Sequence, residues 1–297
     1  MRVLSFGHIP SFAGGRQSSG LANVIFQLSY HLAKHDDIEM YLAATDVYVQ
    51  ELHKDNLTIF GWTKSCLLKY ATKHPFVAVR LLVNALSCKI KYSPIVSVLG
   101  LFFKSLLLDY AIRKVQPQIV HLHGVVAMYY LPIISSKIKV VVTIHGNVGT
   151  DNNLPNHTIY AKLENALCIS NKIDKLCTIS TTIPNILKET YETIIPPVNV
   201  ILNAYDNKAF NYIEPQKHAK LTLCTIASFS KLKGQERVIQ ALKNSGCDYR
   251  YLCIGQISEE NKKKLEKLSE GLDFHWLGVK SSDEIRSILA DCDYMIL

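Results

Sequence analysis

Short, nearly continuous apolar runs alternate with stretches of helical period along the whole chain. The runs 2–6 (RVLSF), 38–44, 57–60, 118–123 (QIVHLH), 139–144 (KVVVTI), 174–179 (DKLCTI) and 198–202 (VNVIL) predict strands. The stretch NAYDNKAFNYIEPQKHAK then breaks the rhythm: it is polar, holds Pro215 and has no clear period. It places a domain boundary near residue 215, giving domains 1–215 and 216–297. Strands are expected again at 221–227, 249–254, 272–276 and 293–297, with helices near 234–245, 258–270 and 282–291. Strands that are apolar throughout and alternate with helices belong to parallel sheets covered on both faces. The pattern predicts an α/β chain of two tandem doubly wound, Rossmann-like domains.

Composition fits that architecture. The 297 residues are 48% hydrophobic and 20% charged, as in a soluble globular protein with a substantial core. The eight cysteines contain no CxxC pair, and several lie inside apolar runs, so they read as buried free thiols in a reducing compartment. The opening MRVLSFGHIP has one basic residue and no long apolar core, so no signal peptide is expected and the location read from the sequence is cytoplasmic.

Charge is concentrated in one place. Between Gly61 and Val115 nine Lys and Arg residues face a single acid, Asp109, a surplus equal to the net charge of +8 of the whole chain. The same segment, 61–115, is rich in apolar residues, but its charges interrupt the runs before they reach the ~20 residues of a bilayer span. Two readings fit: a basic amphipathic region on an anionic membrane, with about 1 kcal/mol available per Lys or Arg near the surface, or core helices with solvated basic faces. Nucleic acid is not indicated, because aromatic and basic residues are not interleaved in a recognisable module.

In doubly wound sheets ligands bind beyond the carboxyl ends of the strands. The segment SFAGGRQSSGLANVIFQL, residues 11–28, occupies that position after the first strand. Its glycines fall at Gly14, Gly15 and Gly20, which is not GxGxxG and argues against a nicotinamide loop. Leu21, Val24, Ile25, Leu28 and Leu32 recur at helical spacing, with Ser18 or Ser19 as N-cap. Gly14 and Gly15 would let backbone amides approach an anion at a helix N-terminus, or they serve only to turn the chain. In PQIVHLHG, Val120 and Leu122 face one way and His121 and His123 the other. His123, just before Gly124 at a strand end, can donate to a substrate hydroxyl or a phosphate, or be a structural histidine. VVVTIHGN repeats the arrangement with His145 and Gly146. No set of residues has consistent metal-ligand spacing, so no metal is expected. In CTIASFSKLKGQERVIQAL, Lys231 and Lys233 stand at the mouth of the second domain, with Gly234 opening a helix. A lysine there is a point charge suited to a diphosphate, or a solvated loop residue.

Six segments in order carry a resemblance: the glycine pair before LANVIFQLSYHLAKH, PQIVHLHG, VVVTIHG, CTISTTIPNIL, VNVILNAYD and IASFSKLKGQERVIQAL. Together they resemble the retaining glycosyltransferases of the GT-B fold, family 4 type, over essentially all of the chain. The resemblance implies a nucleotide-diphosphate sugar as donor and no cofactor. It sets the loop of Gly14 and Gly15 beside the donor diphosphate and acceptor, His123 beside the transferred sugar, and Lys233 on the leaving diphosphate. Lys and backbone dipoles, in place before the anomeric bond breaks, would stabilise the departing charge. Family habit and the basic segment together suggest a cell-envelope glycan or lipid-linked acceptor and a site on the inner face of the plasma membrane.

Three departures qualify the resemblance. Ala227 and Ser228 stand where the family often has Gly-Arg, leaving Lys231 to compensate. Asn203-Ala204 replaces the usual Asn-Gly. The sequence given stops at ADCDYMIL, before the loop in which the family carries two glutamates, so the second domain is expected to be incomplete. Two competing readings follow: a GT-B-like protein that binds a nucleotide sugar or a partner without turnover, and a nucleotide-sugar epimerase of the same architecture.

Overall fold

The apolar runs form the strands expected of them in the computed structural model of the chain, which describes residues 1–17, 19–150, 154–205, 210 and 220–296. The chain divides into two compact units, Met1–Asn203 and Ala204–Leu297. The boundary read at residue 215 lies outside the described residues.

In the first unit the order is β1 (Arg2–Gly7), α1 (Gly20–Leu32), β2 (Glu39–Ala44), β3 (Glu51–Lys54), β4 (Leu57–Phe60), α2 (Lys64–Lys73), α3 (Pro75–Tyr92), α4 (Val98–Val115), β5 (Ile119–His123), β6 (Lys139–Ile144), α5 (His157–Cys168), β7 (Lys175–Thr178), α6 (Thr182–Thr190) and β8 (Val198–Val200). The strands make one eight-stranded sheet in the order β3-β4-β2-β1-β5-β6-β7-β8. All neighbours are parallel except β3 and β4, an antiparallel hairpin that the apolar pattern did not predict. The reason is its composition: β3 is Glu-Leu-His-Lys at a sheet edge, and only Leu52 packs against the core.

One face of the sheet, with Leu4, Phe6, Val120 and Leu122, packs against Leu81, Ala85, Leu106 and Leu107 of α3 and α4. The other, with Val3, Leu42 and Ile59, receives Ile25 and Phe26 of α1. Ser19 caps α1, its Oγ accepting from the amide of Ala22 at 3.2 Å; Ser18 lies outside the described residues. The face α1 buries is shifted by one residue from the expected one. Ala22, Ile25, Phe26 and Ser29 are buried, whereas Leu21 and Leu28 are exposed. Small residues decide this: Ala22, Ser29 and the following Ala33 let the helix lie close to the sheet, and the Ser29 hydroxyl donates to the Ile25 carbonyl at 2.8 Å.

The second unit follows the expected rhythm: β9 (Leu221–Ile226), α7 (Gln235–Ser245), β10 (Tyr249–Ile254), α8 (Glu259–Leu268), β11 (Asp273–Trp276), α9 (Ser282–Ala290) and β12 (Tyr294–Met295). Its four strands are parallel in the order β11-β10-β9-β12. All eight cysteines are free, five of them buried.

Candidate functional site

β1, β5 and β6 are adjacent and parallel, with Ser5 opposite His121 and His123 opposite Thr143, so their carboxyl ends meet. Alternation then gathers polar side chains on one face of an otherwise apolar sheet. His121 Nε2 lies 2.8 Å from Thr143 Oγ1, and the His121 and His123 rings stand 4.1 Å apart. His123 Nε2 is 3.1 Å from Ser5 Oγ and its Nδ1 is 3.1 Å from His145 Nε2. The three histidines read from the sequence are thus brought into one cluster. Burial depresses all three pKa values: His121 and His145 to about 4, and His123, pushed down further by its two neighbours, well below the usual histidine range. Near neutral pH they are uncharged imidazoles, and both nitrogens of His123 have partners within the protein.

The cluster borders a cavity of about 290 Å³ at the carboxyl ends of β1 and β5. His123 and His8 supply its polar floor, Leu21 of α1 one wall, and Tyr129 another; Val96, just before α4, and Lys104 of α4 close the side opposite. Lys104 is half-buried, and that burial lowers its pKa while Asp46 raises it. His8, with Nδ1 2.9 Å from Thr45 Oγ1, is lowered by burial and by Lys104 and raised by Asp46. The sequence reading missed Ser5, His8, Asp46 and Lys104. His8 and Asp46 each follow a strand, so the rule that singled out His123 would have found them. Lys104 gives one signal only, a cation within the apolar first half of its helix.

The glycine loop is built differently from the expectation of amides open to an anion. The amide of Gly14 donates to Ser11 O at 3.0 Å and that of Gly15 to Pro10 O at 3.1 Å, so both are consumed in the loop's own turn. Gly14 takes φ +100°, and a Cβ on Gly15 would sit 2.0 Å from the Ile9 carbonyl oxygen. The glycines are required by a positive φ and by close packing. Asp46 holds both ends of this loop, accepting from the amides of Ile9 at 3.1 Å and Arg16 at 2.9 Å.

Asn203 is exposed beyond β8, three strands from β5 and hence about 14 Å along the sheet, outside the histidine cluster. Lys231 and Lys233 belong to the second unit, on a single exposed 3₁₀ turn after β9. Ser230 caps the turn, and Gly234, at φ +71°, closes it and opens α7. Ala227 and Ser228, which replace the expected Gly-Arg, lie against Gly255, where a Cβ would meet the Ala227 carbonyl oxygen at 2.3 Å. Among the described residues no group of three or more His, Cys, Asp or Glu is arranged to hold a metal ion.

Two Rossmann-like units, the first with a cavity at its strand ends, form the fold that this chain shares with solved GT-B glycosyltransferases. Sucrose-phosphate synthase from Thermosynechococcus elongatus matches with a TM-score of 0.71 at 9% identity, over 99% of this chain and 75% of that one. A glycosyltransferase from Rickettsia africae matches at 0.62 and 16% identity, over 99% and 72%. Anabaena HepE, solved in complex with UDP-glucose, matches at 0.61 and 11% identity, over 99% and 72%. The sequence profile of Glycosyltransferase Family 4 matches residues 18–208, and the chain belongs to that family. No curated protein sequence matches it.

Proposed function

We propose that this chain moves a hexosyl group, with retention, from a nucleotide-diphosphate sugar to a cell-envelope glycan or lipid-linked acceptor in polysaccharide biosynthesis. The observation that carries this reading is the cavity where β1 and β5 end, with the neutral His123 and with His8 on an apolar, lysine-edged wall. Membership of Glycosyltransferase Family 4 supports the reaction class, and the UDP-glucose bound by HepE supports the donor class.

In this reading the bond between the anomeric carbon and the diphosphate oxygen breaks, and its electron pair leaves with the nucleoside diphosphate. Lys233, helped by Lys231 in place of the absent arginine, neutralises that charge. The acceptor oxygen bonds to the anomeric carbon on the face the diphosphate leaves, and its proton passes to the departing phosphate oxygen. His123 stands beside the transferred sugar as a neutral imidazole, oriented by Ser5 and His145. The loop of Gly14 and Gly15 walls the donor by close approach. His121, His145 and Asn203 are assigned to the acceptor or sugar region, with Asn203 at its far side, about 14 Å along the sheet from β5. The basic segment 61–115 faces an anionic membrane at the inner face of the plasma membrane.

The test is incubation with UDP-, GDP- and ADP-hexoses, with and without an undecaprenyl-phosphate-linked glycan. Sugar transfer with the donor's anomeric configuration kept, read from the anomeric coupling constants by nuclear magnetic resonance, is the expected result. Release of an isomerised free sugar from donor alone would contradict it.

A further inference from the structure

One face of α3 has no counterpart in the core. At about 3.6 residues per turn, Phe76, Val79, Val83, Leu86 and Ile90 fall within an arc of about 80°, roughly opposite the buried Leu81, Ala85, Cys88 and Tyr92. All five point outward, Phe76 with 91% and Ile90 with 86% of its surface exposed. An amphipathic helix in a soluble fold turns its solvent face polar, and α3 does the reverse.

The charges around the stripe are of one sign. Arg80 and Lys91 border it on one side and Lys89 on the other, with Lys73 in the last turn of α2. The only acid in α2, α3 and α4 is Asp109, and it is buried and taken: Arg113 Nε lies 2.8 Å away, the Tyr70 hydroxyl 2.6 Å and an Arg80 nitrogen 3.6 Å. The three-helix layer therefore presents apolar side chains within a basic rim that holds no exposed carboxylate of its own. A second copy of the same face would bring lysine against lysine. An anionic bilayer surface satisfies both features together, taking the side chains into its interfacial region and the ammonium groups onto its headgroups. No helix among the described residues is long and apolar enough to cross a membrane.

We propose that α3 is a membrane-docking helix that lies flat on anionic lipid, with Phe76, Val79, Val83, Leu86 and Ile90 as its inserted face. This deepens the membrane part of the proposed function and rests on it for the acceptor. Docking also bears on the cavity. α3 runs directly into residues 93–97, whose Ile95, Val96 and Ser97 line the cavity, and the Asn84 amide donates at 2.9 Å to the carbonyl of Tyr129 in its wall. A docked α3 therefore holds this cavity-lining segment close to the lipid surface, where an amphiphilic acceptor is found.

The experiment is sedimentation of the full chain with vesicles of phosphatidylcholine alone and of phosphatidylcholine mixed with phosphatidylglycerol. Binding is expected to the mixed vesicles only, and to weaken as salt rises. Val83→Asp with Leu86→Asp should lower partition about tenfold or more, as should Lys89→Ala with Lys91→Ala to a smaller extent. Val279→Asp, an equally exposed position of the second unit, should change nothing. Because Val83 and Leu86 are exposed, the melting temperature of the double variant should match the wild type; the milder Val83→Ser with Leu86→Ser repeats the test if it does not. Absence of vesicle binding, equal binding by the double variants, or a dimer in light scattering that the Asp pair dissolves would each overturn the proposal. Calorimetry with UDP, GDP and ADP on the same samples separates the two readings: vesicle binding without binding of any of the three nucleotides fails the transferase and leaves the docking helix standing.

Discussion

His123 Nδ1 lies 3.1 Å from His145 Nε2, and His123 Nε2 lies 3.1 Å from Ser5 Oγ. One nitrogen of a neutral imidazole donates and the other accepts, so Ser5, His123 and His145 form a directional chain whose sense is set by a single tautomer. His145→Ala removes one end and frees His123 to rotate. The expected outcome is a kcat reduced about tenfold or more with donor affinity little changed, as for a residue that positions another. His145→Gln, whose amide can still donate or accept, should recover part of the loss. Equal losses in the two variants would contradict an orienting role.

The same cluster fixes a pH dependence. His121 and His145 have folded pKa values of about 4, below the 6.5 of a free histidine. The unfolded chain takes up protons first, so the stabilising contribution is complete above about pH 6.5 and is lost as pH falls toward about 4. Urea unfolding at stepped pH should show stability dropping across that window, with a shallower drop in His121→Gln. Histidine resonances of the folded protein that titrate near 6.5 at these positions would contradict the burial.

Asp46 joins residues thirty or more apart in sequence by accepting the amides of Ile9 and Arg16 on its two oxygens. Asp46→Asn keeps one acceptor and turns an NH₂ group toward an amide. The expected cost is about 1–3 kcal/mol, the range for leaving a buried donor unsatisfied. Hydrogen exchange should localise the loss to residues 9–16, and uniform loss of protection would place the effect elsewhere.

Gly15 and Gly20 separate two uses of glycine within six residues. A Cβ on Gly15 meets the Ile9 backbone at 2.0 Å, whereas one on Gly20 meets nothing within 4 Å. Gly15→Ala should therefore destabilise the protein by about 2 kcal/mol or more through backbone displacement. Gly20→Ala, at the start of α1, should stabilise it by up to about 1 kcal/mol. Thermal melts of the two variants are the check, and a shift of the same sign in both would contradict the packing described.

Lys104 puts a half-buried ammonium on an apolar wall of the cavity, where Asp46 favours its charge. An acceptor bearing a phosphate or carboxylate would gain a charge-assisted contact there. Lys104→Met should then raise KM for such an acceptor about tenfold to a hundredfold while donor affinity is unchanged. Unchanged KM would remove Lys104 from the acceptor site.

The strands and their parallel order were legible because both faces of the sheets are covered, so runs such as Val140, Val142 and Ile144 are apolar throughout and short. Polar edges were not: β3 carries Glu51, His53 and Lys54 and has no apolar signature. The histidines were legible because His121 and His123 alternate along β5 up to its end, which puts them on one side, and His145 directly follows β6. The use of the glycines was not. Whether an amide at Gly14 or Gly15 is free depends on the Pro10 and Ser11 carbonyls folding back, a matter of tertiary geometry that residue type leaves open. The burial stripe of α1 slipped by one residue for a related reason, since Ala22 and Ser29 pack by being small and register weakly in a hydrophobic period. Similarly, composition showed the basic segment 61–115 but not which helix turns its apolar face outward; only the packing of Leu81 and Cys88 identifies Val83 and Leu86 as the exposed side.

In the proposed reaction the charge on Lys233 holds the nucleoside diphosphate, so nucleotide binding tests the proposal most directly. Isothermal titration of the full chain with UDP, GDP and ADP, repeated on Lys233→Ala and Lys231→Ala, measures it. Binding of one of the three, weakened about tenfold or more by Lys233→Ala and comparably by Lys231→Ala, is the predicted result. Failure of all three to bind, or affinity indifferent to Lys233→Ala, would contradict sugar transfer from a nucleotide donor.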